Sequence, residues 1–289
     1  MKNIIKYFFQ AIIIYIFFII IKLFGLKLSR KIFSYLFNKI GPIIKSNKVI
    51  DDNLDKFIGS YNEDKKKKIK ISMWSNYGKT FVEYLFLKKF NNQNSHIEIK
   101  GEKILQQIIQ KNKPVIFVSC HFANFELMSM ELTKKKINLA TIYRPLNNFF
   151  LNPFMEHIRK KYICKNQIKK GLGGVKNAIS YIQNNFSVAL MIDQRVSEGK
   201  RLPFFEHMAL TTTLPSQLAI KYDLDIVPIY IFRNENDNFD MEIYDPIKAS
   251  NKDDLETNKL NLTIKLNKIA EQMISRNPGQ WIWSHNRWK

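Results

Sequence analysis

The chain has 289 residues, enough for one large α/β domain with an anchor or for two small domains. Its 46 Lys and Arg against 25 Asp and Glu give a net charge of +21, which favours an anionic partner: nucleic acid, anionic lipid or an acidic protein. The 2 cysteines, Cys120 and Cys164, rule out a disulfide framework and point to a reducing compartment for the main domain. No C-x-x-C, His-rich run or other ligand spacing suggests a metal. Gly171, Gly173 and Gly174 make neither a phosphate loop nor a dinucleotide fingerprint, so no cofactor is expected.

Residues 4–26 are almost wholly apolar, with no charge between Lys6 and Lys22. That uncharged stretch covers ~23 Å as a helix; with Lys6 and Lys22 reaching outward the segment covers ~34 Å, enough for a ~30 Å hydrocarbon layer. Tyr7, Phe8, Phe9 and Phe24 suit the interfaces. No A-x-A-like site follows, which argues against a cleaved signal peptide, and the lack of a polar face argues against a soluble core helix. Lys22, Lys27, Arg30 and Lys31 outweigh Lys2 and Lys6, so a single-pass anchor with the rest of the chain cytoplasmic is expected. Residues 27–45 read as an amphipathic helix along the membrane surface, stopped by Gly41-Pro42.

Residues 51–70 are helical in tendency, with Lys65 to Lys68 as a solvated face. Residues 71–90 form another helix, whose stripe of Met73, Trp74, Tyr77, Phe81, Tyr84 and Leu85 reads as core; Glu83 is the exception. Strands and helices then alternate: strands near 96–99, 115–120, 139–143 and 188–192, and helices near 102–110, from 123, 149–161, 175–184 and 214–222. Paired strands at 226–232 and 239–244 precede a long helix at 255–274. The predicted fold is α/β: a mainly parallel mixed sheet flanked by helices, with an N-terminal transmembrane helix. Residues 1–30 make the anchor and 31–289 the main domain.

Three strand ends carry polar residues that a core does not select: His121, Arg144 and Asp193. Parallel strands bring such ends to one edge of a sheet, where ligands collect. His121 sits where a strand hands over to a helix, and Glu126 lies in that helix's first turn, within folding-back distance. A carboxylate against one imidazole nitrogen fixes the tautomer and stabilises the imidazolium, leaving the other nitrogen as a general base. The plainer reading is that Glu126 complements the helix N-terminus and His121 pairs with backbone. Cys120, adjacent on the strand, points to the opposite face and into the core. Arg144 suits phosphate through its fork of donors, or else pairs with Asp193. Phe204 and Phe205, after Pro203, offer apolar surface for a lipid chain, where a chain of about twelve carbons gains up to roughly 8 kcal/mol before entropy is charged. The Trp-rich tail, Gln280 to Trp288, closes the core or meets the membrane interface.

The stretch H-F-A-N-F-E resembles the H-x4-D/E motif of glycerolipid-type acyltransferases. Trp74, Gly78 and Glu83, His121 and Glu126, Tyr143-Arg144-Pro145, Asp193-Gln194, Pro203-Phe204-Phe205 and PGQWIWSHNRW at 278–288 follow in order. That string resembles the late acyltransferases of lipid A biosynthesis, the lauroyl/myristoyl transferase family, from about residue 71 to the end. One departure is Glu206, where the family commonly has Gly. The resemblance implies a bacterial inner-membrane enzyme moving a fatty acyl group from acyl carrier protein to a hydroxyl of a lipid A precursor. His121 is then the general base with Glu126, and Arg144, Asp193, Tyr143, Phe204 and Phe205 line the substrate site. The charge would then serve membrane, anionic lipid and carrier protein rather than nucleic acid, with Lys134 to Lys136 and Arg159 to Lys161 as candidate faces for the acidic carrier. The alternatives are a lysophospholipid acyltransferase, whose F-P-E-G-T-R segment Ser197-Glu198-Gly199 barely echoes, and a non-catalytic basic membrane scaffold, which has no need of polar residues at three strand ends.

Overall fold

The structure is a computed structural model that describes residues 2–249 and 254–289; Met1 and residues 250–253 lie outside it. Seven strands form one sheet in the order β1 (Ile97–Lys100), β9 (Phe239–Ile243), β8 (Ile226–Arg233), β2 (Ile116–Ser119), β5 (Ser187–Met191), β3 (Leu139–Tyr143) and β4 (Asn166–Lys169). β8, β2, β5, β3 and β4 are mutually parallel, while β9 runs antiparallel to β8 and parallel to β1. The central strand shows why an unbroken apolar run was needed. Val115 and Phe117 enter one core and Ile116, Val118 and Cys120 the other, so both faces are covered. Helices α8 (Leu172–Gln183), α9 (Leu214–Tyr222) and α10 (Leu255–Arg276) cover the Ile116 face. α4 (Leu87–Asn92), α5 (Glu102–Lys111), α6 (Glu126–Lys134) and α7 (Asn152–Tyr162) cover the Phe117 face.

The first helix, α1 (Lys2–Ile44), is two arms joined at Gly25, whose φ of 71° and ψ of 176° break the helical run. Among the described residues it is the one helix long and apolar enough to cross a membrane. Its first arm also rests on the domain. Tyr7, Phe8 and Phe18 pack on Phe149, Phe150 and Phe154, and Asn148 donates to the Tyr7 carbonyl at 2.9 Å. Ile5, Phe9, Ile16, Ile19 and Leu23 stay exposed on the outer side. The second arm runs through Gly41-Pro42 to Ile44 instead of stopping there. Gly41 serves close packing: a Cβ would stand 2.3 Å from the Trp74 ring. Gly78 of α3 (Glu63–Glu83) does the same, since a Cβ there would stand 2.1 Å from the Phe33 carbonyl oxygen. The expected helix over 51–70 is split by Gly59, at φ 80°, into α2 (Asn47–Ile58) and the start of α3.

Two features escape a search for apolar runs. β4 has one buried residue, Ile168, and lies at the sheet edge. β6 (Lys200–Phe204) and β7 (His207–Thr211) form a separate hairpin. Its two-residue turn is Phe205-Glu206, at φ 49° and 62°, left-handed at both positions as tight hairpins favour. Glu206 therefore occupies a backbone conformation that suits glycine.

Candidate active site

β2 and β5 are neighbours, with Ser119 opposite Met191. Two residues further along both strands, that register sets His121 across from Asp193. The N–H of Phe122 donates to the Cys120 carbonyl at 2.8 Å, a three-residue turn with His121 at its centre. The turn lifts the ring off the end of β2, where it packs edge-on against Phe125 with centroids 4.7 Å apart. Asp193 Oδ1 lies 2.8 Å from His121 Nδ1, and its Oδ2 accepts the His121 backbone N–H at 2.9 Å and the Trp281 indole N–H at 2.7 Å. The Asp193 side chain is fully buried and the His121 side chain 18% exposed. Burial opposes a charge on Asp193, but the imidazole and the two N–H donors outweigh it and hold the carboxyl below its usual range. A carboxylate facing Nδ1 puts the ring proton there and leaves Nε2 as a base.

Glu126 does not share this contact. As the first residue of α6 it accepts from Arg159 Nε at 2.8 Å, from Arg159 Nη2 at 2.5 Å and from the Tyr84 hydroxyl at 3.0 Å. No hydrogen bond or ion pair joins it to His121 among the described residues. The expected His121–Glu126 contact is thus replaced by His121–Asp193: Glu126 is drawn toward α7, whose guanidinium is buried and needs a counter-charge. Burial works against the charge on Arg159, and Glu126 more than offsets it, leaving the guanidinium pKa raised. Tyr143 joins the same network, donating to Glu156 at 2.8 Å under the Arg159 guanidinium.

Below the loop after His121 lies a second ionic cluster. Glu83, fully buried, accepts from Arg30 at 2.7 Å, from Arg233 at 2.5 and 3.1 Å and from the Asn124 amide at 3.1 Å. Asn124 therefore braces the loop, and α6 starts without a side-chain cap. Ala123, at φ 40°, is held by its N–H to the Gln280 carbonyl and by its own carbonyl to the Thr80 hydroxyl.

The tail closes the core: Trp281 and Trp283 are buried. His285 Nε2 accepts the Arg195 backbone N–H at 3.0 Å. Burial lowers its pKa to about 4, so it is neutral near pH 7. Arg287 is fully buried, donates to the Leu210 carbonyl and the Thr211 hydroxyl, and lies over the Phe204 ring. Phe204 is consequently packed at 0% exposure between Arg287 and Trp288 and presents no surface to a lipid chain, contrary to expectation. Phe205 is half-buried against Phe57. Cys120 lies in the core, where burial pushes its thiol pKa up.

Arg144 is exposed just past β3 and has no acidic partner among the described residues, so its expected alternative, a pair with Asp193, is not formed. The basic faces also need correction. Arg159 is buried on Glu126, and Lys134 is tied to Glu131 and to the Phe90 and Gln93 carbonyls, leaving Lys136, Lys160 and Lys161 exposed.

Sequence reading placed His121 and Asp193 on one edge but did not pair them, because pairing needs the strand order. The indole that completes the Asp193 shell was visible only as one Trp in a dense cluster. A histidine and a buried carboxylate thus meet at the ends of neighbouring strands, on the edge of an α/β sheet where ligands collect. The model of the family described as Bacterial lipid A biosynthesis acyltransferase matches residues 3–289, so the chain belongs to that family and is an acyltransferase of lipid A biosynthesis, a family with an acyl donor and a lipid acceptor. Comparison with curated proteins finds no match.

Proposed function

We propose that the protein transfers a fatty acyl group from an acyl carrier protein thioester to a hydroxyl of a lipid A precursor, with His121 as general base. Nε2 takes the hydroxyl proton while the oxygen attacks the thioester carbonyl. The tetrahedral intermediate collapses, the C–S bond breaks, and the departing sulfur takes the proton back from the imidazolium, giving ester and thiol. The acceptor oxygen is itself the nucleophile, so no acyl-enzyme is needed. Asp193 holds the ring and balances its charge, and Glu126 shapes the loop through Arg159 and Tyr84. The observation that carries this reading is the 2.8 Å contact of a buried carboxylate with Nδ1 of a partly exposed histidine at the sheet's carboxyl edge. Arg144 binds the anionic acceptor. The first arm of α1 anchors the chain in the inner membrane as a single span, with the domain on the cytoplasmic side. Release of the intact chain from membranes by high salt alone would contradict the anchor.

The test is mass spectrometry of lipid A precursor incubated with the full-length enzyme and a panel of acyl carrier thioesters. A gain of one acyl group is expected, reduced on the order of 10²-fold or more in folded His121→Ala. A gain only on lysophospholipid, or undiminished turnover in that variant, would contradict the reading.

A further inference from the structure

Beside Arg144, at the end of the neighbouring strand, stands a basic residue that the reaction above leaves unused, Lys170. β3 and β4 are parallel, with Tyr143 opposite Lys169, and the Lys170 N–H donates to the Tyr143 carbonyl at 2.9 Å. The next positions in that register are Arg144 and Lys170. Neighbouring strands lie about 4.8 Å apart, so two cationic side chains leave the sheet edge side by side. Both residues are exposed, and neither side chain makes a hydrogen bond or ion pair among the described residues. The arginines nearer the core are handled differently. Arg30 and Arg233 share Glu83, and Arg159 takes Glu126.

Uncompensated like charges at this spacing repel each other. Partial desolvation and the neighbouring Arg144 guanidinium lower the Lys170 pKa below its usual range, with Glu198 the opposing charge. Strand order fixes where the pair sits relative to the reaction. His121 follows β2, Asp193 β5, Arg144 β3 and Lys170 β4, consecutive positions across one edge. Lys170 therefore starts about three strand spacings, roughly 14 Å, from His121. Long side chains shorten that gap to a distance that a sugar unit can bridge.

We infer that Lys170 and Arg144 together form a two-cation site for a phosphate group of the glycolipid acceptor, so that binding this phosphate positions the acceptor hydroxyl at His121. This deepens the proposed reaction and rests on it. Phosphate gains most from two adjacent donors when both are otherwise unpaired. The first turn of α8, which follows Lys170, carries no acidic side chain to compete with it.

The same chemistry could be supplied by the phosphate that carries the acyl donor's thiol arm, so the experiment separates the two. Full-length enzyme in mixed micelles is assayed with phosphorylated lipid A precursor and with the same lipid after phosphatase treatment. Lys170→Ala is expected to raise KM for the phosphorylated acceptor about tenfold, with little change for the dephosphorylated one and with Lys170→Arg restoring most of the loss. An unchanged KM, an equal rise for both acceptors, or a rise confined to the acyl donor would overturn the site. Equilibrium binding of both lipids to His121→Ala, with and without Lys170→Ala, needs no turnover. A phosphate-dependent affinity that Lys170→Ala lowers about tenfold supports the site even if no acyl transfer is seen, whereas indifference to the phosphate refutes it.

Discussion

Asp193 and Glu83 are both fully buried carboxylates, and both hold the loop after β2, one at His121 and the other at Asn124. Their surroundings differ in one respect. Glu83 is matched by two guanidiniums and an amide, side chains that only donate to it. Asp193 is matched by an indole, a backbone amide and an imidazole, and only the imidazole reaches solvent and can gain or lose a proton. The first arrangement is architecture, tying α1, α3, β8 and the loop together. The second sets a partly exposed imidazole against a buried carboxylate, the pair to which the proposed reaction assigns proton transfer. Burial of a carboxylate alone does not tell the two apart; the titratability of its partners does.

The sharpest way to break this contrast is at Asp193. Asp193→Asn is nearly isosteric but can leave the proton on the wrong ring nitrogen, so kcat is expected to fall on the order of 10³-fold while the thermal midpoint moves little. Comparable kcat in wild type and variant would remove the distinction. Next is Glu83→Ala, which strands two buried guanidiniums. A stability loss of about 3–5 kcal/mol in denaturant titration is expected, with the remaining folded fraction keeping turnover within a few-fold. A stable Glu83→Ala protein with no turnover would make that cluster catalytic instead. The smallest effect concerns His285. Its folded pKa of about 4 lies below the unfolded value of ~6.5. The stability it contributes is therefore whole above about pH 6.5 and is lost as pH falls toward the folded value, where protonation breaks the bond from the Arg195 N–H. Replacing His285 with Gln should flatten the decline in denaturant midpoint across that window; an unaltered slope would contradict it.

Much of this was legible in the chain. The Val115 run, the Leu139 strand and the Leu214 helix are local patterns, and local patterns carry their own signal. The His121–Asp193 pair was half legible. Polar residues at strand ends announce an edge, but which ends are neighbours is a long-range fact, and Glu126 was nearer to His121 in sequence than Asp193. Glu126 is claimed instead by the buried Arg159. That arginine read as surface charge, because composition does not reveal which of three consecutive basic residues turns inward. Phe204 failed as a ligand surface for a similar reason. Apolar residues near a site are as useful to the hairpin's own core, and here Arg287 and Trp288 cover the ring. β4 was invisible because an edge strand needs few apolar residues.

Asp193, and not Glu126, is on this reading the carboxylate that serves His121. The most direct test removes Glu126 together with its partner, because losing Glu126 alone would strand a buried guanidinium and confuse folding with chemistry. The single-turnover rate of Glu126→Leu/Arg159→Met is measured beside Asp193→Asn, with both proteins shown folded by their thermal midpoints. The double variant is predicted to keep its rate within about tenfold of wild type while Asp193→Asn loses on the order of 10³-fold. A folded double variant as slow as His121→Ala, beside an active Asp193→Asn, would contradict it.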